Sequence, residues 1–217
     1  MKPLLCFDLD ETLIRSNKSH VIAFNKAFVK NDLKKIPVKK LISALQGEMG
    51  KVVVKKLYPK LNDKKINEIL KDHDNFVINE TYKYSKQILS AASTLKKIKK
   101  NYNIAILSNC KHKEIFALLK GAGIKKSLFN KIIGKDEVKH GKPYPDEIFK
   151  AEKLMHEKAD FIIGDSLQDI KAAKKARIKV ISVLTGNTPK SQIIKANPDY
   201  IIKNIKGLQS LLKEEKE

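Results

Sequence analysis

Six short apolar runs, with helical patterns between them, constrain the fold of this chain more than any other feature. They are residues 3–8, "IAIL" at 104–107, "KIIG" at 131–134, "FIIG" at 161–164, "KVISVL" at 179–184 and "YII" at 200–202. Continuous runs of this length, bounded by Gly, Asp or Asn, suit strands of a parallel sheet covered on both faces. Over 85–100, Ile88, Ala91, Ala92, Leu95 and Ile98 recur at helical spacing. Over 112–122, Ile115, Leu118, Leu119 and Ala122 do the same, with Gly121 and Gly123 as stop signals. Pro145 opens a third helix through Ile148, Ala151 and Met155, and Leu167, Ile170 and Ala173 mark a fourth. Strands alternating with helices predict an α/β, doubly wound parallel sheet.

Residues 16–84 break the alternation. They carry helical faces such as Val21, Phe24 and Phe28, then Ile66, Ile69 and Leu70, with Asp63 as an N-cap for the second. "KVVVKKLY" at 51–58 reads equally as helix or strand. The expected organisation is an α/β core over 1–15 and 85–217, with a mostly helical insert at 16–84.

The chain has 217 residues, long enough for one large domain or one domain with an insert. No apolar run approaches the roughly 20 residues of a membrane helix. No apolar stretch with a cleavage site precedes the acidic strand end at residue 8. A soluble, cytoplasmic protein is expected, without a membrane partner, as a monomer or a homodimer. Two cysteines, Cys6 and Cys110, make no disulfide framework. Cys6 reads as a buried structural thiol, whereas Cys110 follows Ser108-Asn109 and so approaches a strand end. The five histidines, His20, His73, His112, His140 and His156, show no metal-ligand spacing and read as surface or core residues.

The net charge is +21, but Arg15 and Arg177 are the only arginines and the other 43 basic residues are lysines. The excess is spread along the chain rather than gathered in one tail. Aromatic residues are 6% of the chain, without Trp. Nucleic-acid readers often use arginine forks and stacking aromatics, so a compositional lysine bias explains the charge better than nucleic-acid binding.

Ligands of an open parallel sheet bind at the carboxyl ends of its strands. The first strand here ends in Asp8-Leu9-Asp10-Glu11-Thr12 and the next in Ser108-Asn109. Lys142 follows the "KIIG" strand within "GKPYPDEIF", and "GDSLQD" places Asp165 and Asp169 after a fourth strand. Clustered carboxylates of this kind suit Mg²⁺, which takes hard oxygen donors. A lysine, a serine hydroxyl and backbone N–H groups suit phosphate oxygens. One Asp can act as a nucleophile and a second as a proton donor and acceptor.

In this set of motifs the chain resembles the haloacid dehalogenase superfamily of hydrolases. "FDLDETL" is similar to its DxDxT signature, "LSN" to its Ser/Thr motif, "KPYPDEIF" to its lysine motif and "GDSLQD" to its final acidic motif. The insert at 16–84 resembles the helical cap of the phosphoglycolate phosphatase-like branch, and Gln46-Gly47 its glycine-bearing loop facing the active site. The resemblance implies a Mg²⁺-dependent phosphatase of a small phosphorylated metabolite, phosphoglycolate or a sugar phosphate, with Asp8 as nucleophile and Asp10 as general acid/base. Asp8, the main-chain carbonyl of Asp10, and Asp165 would hold Mg²⁺. Ser108, Asn109 and Lys142 would bind the phosphoryl group, with Gly47 and Thr12 also on the substrate side and Thr12 bracing the nucleophile loop. Asp169 would orient the metal shell or Lys142. This branch usually has Gly where the chain has Glu11, and often Asp where it has Arg15. Arg15 reads as a hinge or surface residue, with contact to an anionic substrate as the alternative.

Other activities share this core. A phosphomutase, a nucleotidase and a pyrophosphatase all remain open. A dehalogenase is disfavoured by Asp10, and a phosphonatase by the want of a matching lysine motif in the insert. From another class, a basic nucleic-acid-binding protein retaining a hydrolase fold would show steep salt dependence.

Overall fold

The computed structural model describes residues 2–215. The chain opens with β1 (Leu4–Phe7) and the two-residue β2 (Ile14–Arg15). Four helices follow: α1 (Asn17–Lys30), α2 (Val38–Leu45), α3 (Gly50–Leu57) and α4 (Asp63–Asn79). A 3-10 turn at Thr81–Tyr84 leads to β3 (Lys86–Gln87). The rest alternates: α5 (Ala91–Ile98), β4 (Asn103–Ser108), α6 (His112–Gly121), β5 (Lys131–Gly134), α7 (Asp146–Met155), β6 (Ala159–Gly164) and α8 (Leu167–Ala176). It closes with β7 (Lys179–Val183), α9 (Lys190–Lys195), β8 (Tyr200–Ile202) and α10 (Leu208–Glu214).

Six strands pair in parallel in the order β5-β4-β1-β6-β7-β8. The α/β doubly wound sheet read from the sequence is therefore present. Successive side chains of a strand point to opposite faces, and the apolar runs fill both. Leu5 and Phe7 of β1 join Ile104, Ile106, Ile163 and Ile181 in one cluster. Leu4 and Cys6 join Ala105, Leu107, Ile162 and Val180 in the other. The chain winds from β1 outward to β4 and β5, then returns to β6 on β1's other side. The carboxyl end of β1 thus lies at the switch point, where such sheets bind ligands.

Helices α1 to α4 build a third apolar cluster of their own, including Phe24, Phe28, Leu41, Val53, Val54, Leu57, Ile66 and Ile69. The ambiguous run at 51–58 is helical in the structure because Val53, Val54 and Leu57 share one buried side. Among the described residues, no helix is long and apolar enough to cross a membrane.

Three local readings are corrected. The N-cap of α4 is Asn62, whose Oδ1 accepts the Lys65 N–H at 2.9 Å; Asp63 is the first helical residue. The helix expected over 85–100 begins only at Ala91. Lys86 and Gln87 pair antiparallel with Arg15 and Ile14, the Ile88 N–H donates to the Leu13 carbonyl, and Gln87 Oε1 accepts the Ala92 N–H. The β2–β3 ribbon thus uses the residues that helical spacing alone would assign to the helix.

Gly121 is the last residue of α6 rather than a stop beyond it. A Cβ at this position would overlap the Tyr82 carbonyl oxygen, so glycine sets how closely α6 approaches the 81–84 turn. Gly123, with φ +68°, lies past the helix end. Gly121→Ala is expected to lower the unfolding free energy by about 1–3 kcal/mol through overpacking. The midpoint of urea unfolding reads this, and an unchanged midpoint would contradict the close approach.

Candidate active site

The site begins in the backbone after β1. The Asp8 N–H donates to the Ile163 carbonyl at 2.9 Å, which carries the pairing with β6 one residue beyond the strand. The chain then turns tightly, with Leu9 O accepting from the N–H groups of Leu13 and Ile14. Glu11 takes the left-handed conformation at φ 58°. Its Oε1 accepts from the N–H groups of Ser16 and Asn17, at 2.9 and 3.0 Å. These are unpaired donors at the start of α1, where negative charge is favoured. Glu11 therefore ties the loop after β1 to the first helix. Burial pushes its carboxyl up, and the two N–H groups oppose that shift.

Lys142 organises the carboxylates. It is buried, and its Nζ donates to Asp8 Oδ1 at 2.6 Å, Asp169 Oδ1 at 2.7 Å and the Leu107 carbonyl at 2.9 Å. Burial opposes its charge, but Asp169 and Asp8 outweigh burial and hold the ammonium well above its ordinary value. Asp169 Oδ2 in turn accepts from Ser166, backbone and hydroxyl. Gly164 admits this carboxylate, since a Cβ there would overlap it. Asp165 Oδ1 accepts from Thr12 Oγ1 at 3.0 Å, and Gly186 leaves the space in which Asp165 Oδ2 sits.

Asp8, Asp165 and Asp169 offer oxygens that all lie within 4.8 Å of one another. Three carboxylates thus share the neighbourhood of one ammonium, which bonds only Asp8 and Asp169. Burial pushes Asp8 up to about 8, Lys142 opposing and Asp169 and Asp10 adding to it. Burial, then Asp8 and Asp169, push Asp165 well above the carboxylate range. A surplus of buried negative charge among oxygen donors fits a hard divalent cation such as Mg²⁺.

Asp10 has different company. Its Oδ1 lies 3.3 Å from His20 Nε2, and its Oδ2 accepts from Cys110 Sγ at 3.3 Å. Burial alone would raise Asp10, but hydrogen bonds from His20, Ser16 and Cys110, with the imidazole's charge, bring it below its usual value. His20 shifts the opposite way. Burial would lower it, yet Asp10, Glu114 and Glu11 together raise it. Behind it, His20 Nδ1 lies 3.2 Å from His73 Nε2, and His73 Nδ1 lies 3.1 Å from Asp74 Oδ1 and 3.6 Å from Glu114 Oε1. Burial and then Asp74 push Glu114 up to about 7.

These groups surround a cavity of ≈ 400 Å³ between the strand ends and the helical segment. Asp8, Asp10, Ser108, Asn109, Asp165 and Gly47 line it. Ser108 Oγ accepts the Cys110 N–H at 3.1 Å, which leaves its own hydrogen to donate. Asn109 Nδ2 donates to the carbonyls of Gly47 and Lys142, at 2.9 and 3.0 Å. Gly47, at φ +72°, packs so closely on Ser166 that a Cβ would sit 2.5 Å from its hydroxyl oxygen. Lys142 and Asp169 stand behind the wall, reaching the cavity through Asp8. Thr12 is fully buried and lies on Asp165 rather than on the substrate side. Arg15 is exposed on the β2–β3 ribbon and is absent from the lining.

His20, His73 and Glu114, which sequence reasoning left as surface or core residues or did not single out, also line the cavity, as does Cys110. One signal was available for His20. It stands four residues before Phe24 on the buried face of α1, the helix that follows the acidic loop after β1.

A protein-family model described as haloacid dehalogenase-like hydrolase matches residues 5–183. The chain is 24% identical to a phosphoglycolate phosphatase of Pasteurella multocida, over 96% of this chain and 97% of that protein. It is 26% identical to the pyrophosphatase PpaX of Oceanobacillus iheyensis, over 96% and 95%. Among solved structures, a hydrolase from Pseudomonas syringae superposes with a TM-score of 0.84 at 22% identity, over 98% of this chain and 99% of that one.

The anchoring of α1 by Glu11 is testable by itself. Glu11→Ala is expected to cost about 1–2 kcal/mol of stability, the range for a lost helix-start acceptor. Glu11→Gln, which keeps an acceptor oxygen, should cost distinctly less. Equal urea midpoints for the two variants would contradict this role.

Proposed function

The chain belongs to the haloacid dehalogenase-like hydrolase family, and from that premise we propose that it is a Mg²⁺-dependent phosphatase of a small phosphorylated metabolite. The observation carrying this reading is the buried grouping of Asp8, Asp165 and Asp169, two of them on one lysine, beside a separately held Asp10. A Mg²⁺ held by Asp8, Asp165 and the main-chain carbonyl of Asp10 supplies charge neutralisation among the carboxylates and phosphoryl oxygens.

The chain's own residues do the rest. Lys142 holds Asp8 Oδ1, so the second carboxylate oxygen attacks phosphorus in line with the leaving oxygen and a phospho-Asp8 intermediate forms. Asp10, held ionised against His20 at 3.3 Å, relays the proton held between them to the leaving oxygen, then takes one from the water that hydrolyses the intermediate. The Ser108 hydroxyl donates to an equatorial oxygen while the charge of Lys142 acts from behind Asp8, and positioning with electrostatics carries most of such catalysis. Asp169 keeps Lys142 aimed, and Thr12 keeps Asp165 aimed. Residues 16–84 act as a cap on a core of 1–15 and 85–217. The hydrogen bond from Asn109 to the Gly47 carbonyl links cap to core at the rim of the site.

The two names found among relatives, phosphoglycolate phosphatase and pyrophosphatase, share one chemistry: a phosphoryl group carried on a small, further anionic body. The cavity wall contributed by the helical segment includes Asn17, Gln46 and Lys71, polar groups suited to that second anion.

Asp8→Asn is expected to lower phosphatase turnover by at least about 10³-fold while its urea midpoint shows a folded protein. Wild-type-like turnover would overturn the mechanism. Chelation should abolish activity and added Mg²⁺ restore it, and full activity in excess chelator would contradict the metal assignment. A screen of phosphorylated metabolites, with phosphoglycolate, pyrophosphate and mono- and bisphosphorylated sugars side by side, identifies the leaving group.

A further inference from the structure

We propose that Asp10, His20 and Cys110 form a second metal site, for a thiophilic divalent cation of the Zn²⁺ class, at the wall of the active-site cavity. Their donor atoms face one another across short gaps. His20 Nε2 is 3.3 Å from Asp10 Oδ1, Asp10 Oδ2 is 3.3 Å from Cys110 Sγ, and Cys110 Sγ is 3.9 Å from His20 Nε2. Zn²⁺ bonds of about 2.0–2.3 Å in tetrahedral array separate neighbouring ligand atoms by roughly 3.3–3.7 Å. With one ligand atom taken from each residue the three lie within 4.8 Å of one another, so a small contraction of the side chains brings them to three corners of a zinc tetrahedron. All three residues line the cavity, through which a cation can reach them.

A second observation concerns His20 itself. A metal-binding histidine usually gives its other ring N–H to an acceptor that fixes its tautomer. His20 Nδ1 has such an acceptor in His73 Nε2, 3.2 Å away, and His73 Nδ1 in turn lies 3.1 Å from the Asp74 carboxylate. If His73 donates to Asp74, its Nε2 has only a lone pair, and His20 Nδ1 must supply the hydrogen. With a proton on Nε2, His20 donates to Asp10, and once that proton leaves, Nε2 directs a lone pair at the same oxygen. Two lone pairs at 3.3 Å need something positive between them, either a proton or a cation. The thiol completes the set, and oxygen, nitrogen and sulfur donors together favour Zn²⁺ over Mg²⁺.

Binding would release the Cys110 Sγ proton, and any proton held between Asp10 and His20, to solvent, with bonds forming from Sγ, Nε2 and a carboxylate oxygen to the cation. The oxygen set of Asp8 and Asp165 is left to Mg²⁺. On the phosphatase reading, occupancy removes Asp10 from proton transfer, so Zn²⁺ inhibits without displacing Mg²⁺. The binding claim does not depend on that reading.

The test uses the full chain in saturating Mg²⁺, titrated with Co²⁺ as a spectroscopic stand-in for Zn²⁺. One equivalent should produce a sulfur-to-cobalt charge-transfer band with intense tetrahedral visible bands, and Zn²⁺ should remove both. Cys110→Ser should abolish the charge-transfer band and weaken Zn²⁺ binding by at least about tenfold, while Cys6→Ser should leave the band intact. In the activity assay, Zn²⁺ inhibition relative to each protein's own Mg²⁺ rate should be weaker for Cys110→Ser than for wild type. A wild-type protein without a sulfur band, or a band surviving Cys110→Ser, would overturn the proposal. A sulfur band in a protein without Mg²⁺-dependent hydrolysis would uphold this site and count against the phosphatase reading alone.

Discussion

The site is organised by one buried ammonium. Lys142 spends its three hydrogens on Asp8, Asp169 and the end of β4. Two buried carboxylates at that distance would otherwise repel each other and lose their charge to burial. Tying them to one lysine draws the loop after β5, the start of α8 and the end of β1 into a single arrangement. The glycines around it serve that arrangement, since Gly164 and Gly186 make room for Asp169 and Asp165. The lysine still falls short of neutralising its surroundings, and that shortfall is the physical argument for a dication.

Asp8 and Asp10, only two residues apart, are kept chemically distinct by what each touches. Asp8 sits against an ammonium and two further acids, while Asp10 sits against an imidazole and a thiol. Their proton affinities are pushed apart, Asp8 up by burial and Asp10 down by His20, so a dication is needed to keep Asp8 ionised for attack and Asp10 draws the proton it carries from His20. The division is built by different parts of the chain. The segments after β5 and β6 and the start of α8 supply the company of Asp8. The first helix after the loop supplies His20, and α4 backs it with His73.

Much of this was legible in the sequence for a simple reason. Apolar runs mark strands, and polar residues directly after a strand in an open sheet must point toward its carboxyl edge. That logic brought Asp8, Asp10, Ser108, Lys142 and Asp165 to one place. It could not reach His20, His73 or Glu114, because they lie on helices and meet the site only through helix packing. Nor could it interpret Glu11. A left-handed residue whose carboxylate reaches N–H groups five and six positions ahead matches no short-range capping pattern. Gly121 was misread for a related reason, since its smallness answers to Tyr82, far away in sequence. Thr12 turned out to face Asp165, a partner 153 residues distant.

The central claim is that Asp8 carries the phosphoryl group between two half-reactions. The most direct measurement is mass spectrometry of the Asp8-bearing peptide from wild-type enzyme, acid-quenched during turnover of the best substrate found. The account predicts one phosphoryl group on Asp8 during turnover, gone once substrate is exhausted. Rapid hydrolysis with Asp8 unmodified at every quench time, or with the phosphoryl group on another residue, would contradict it.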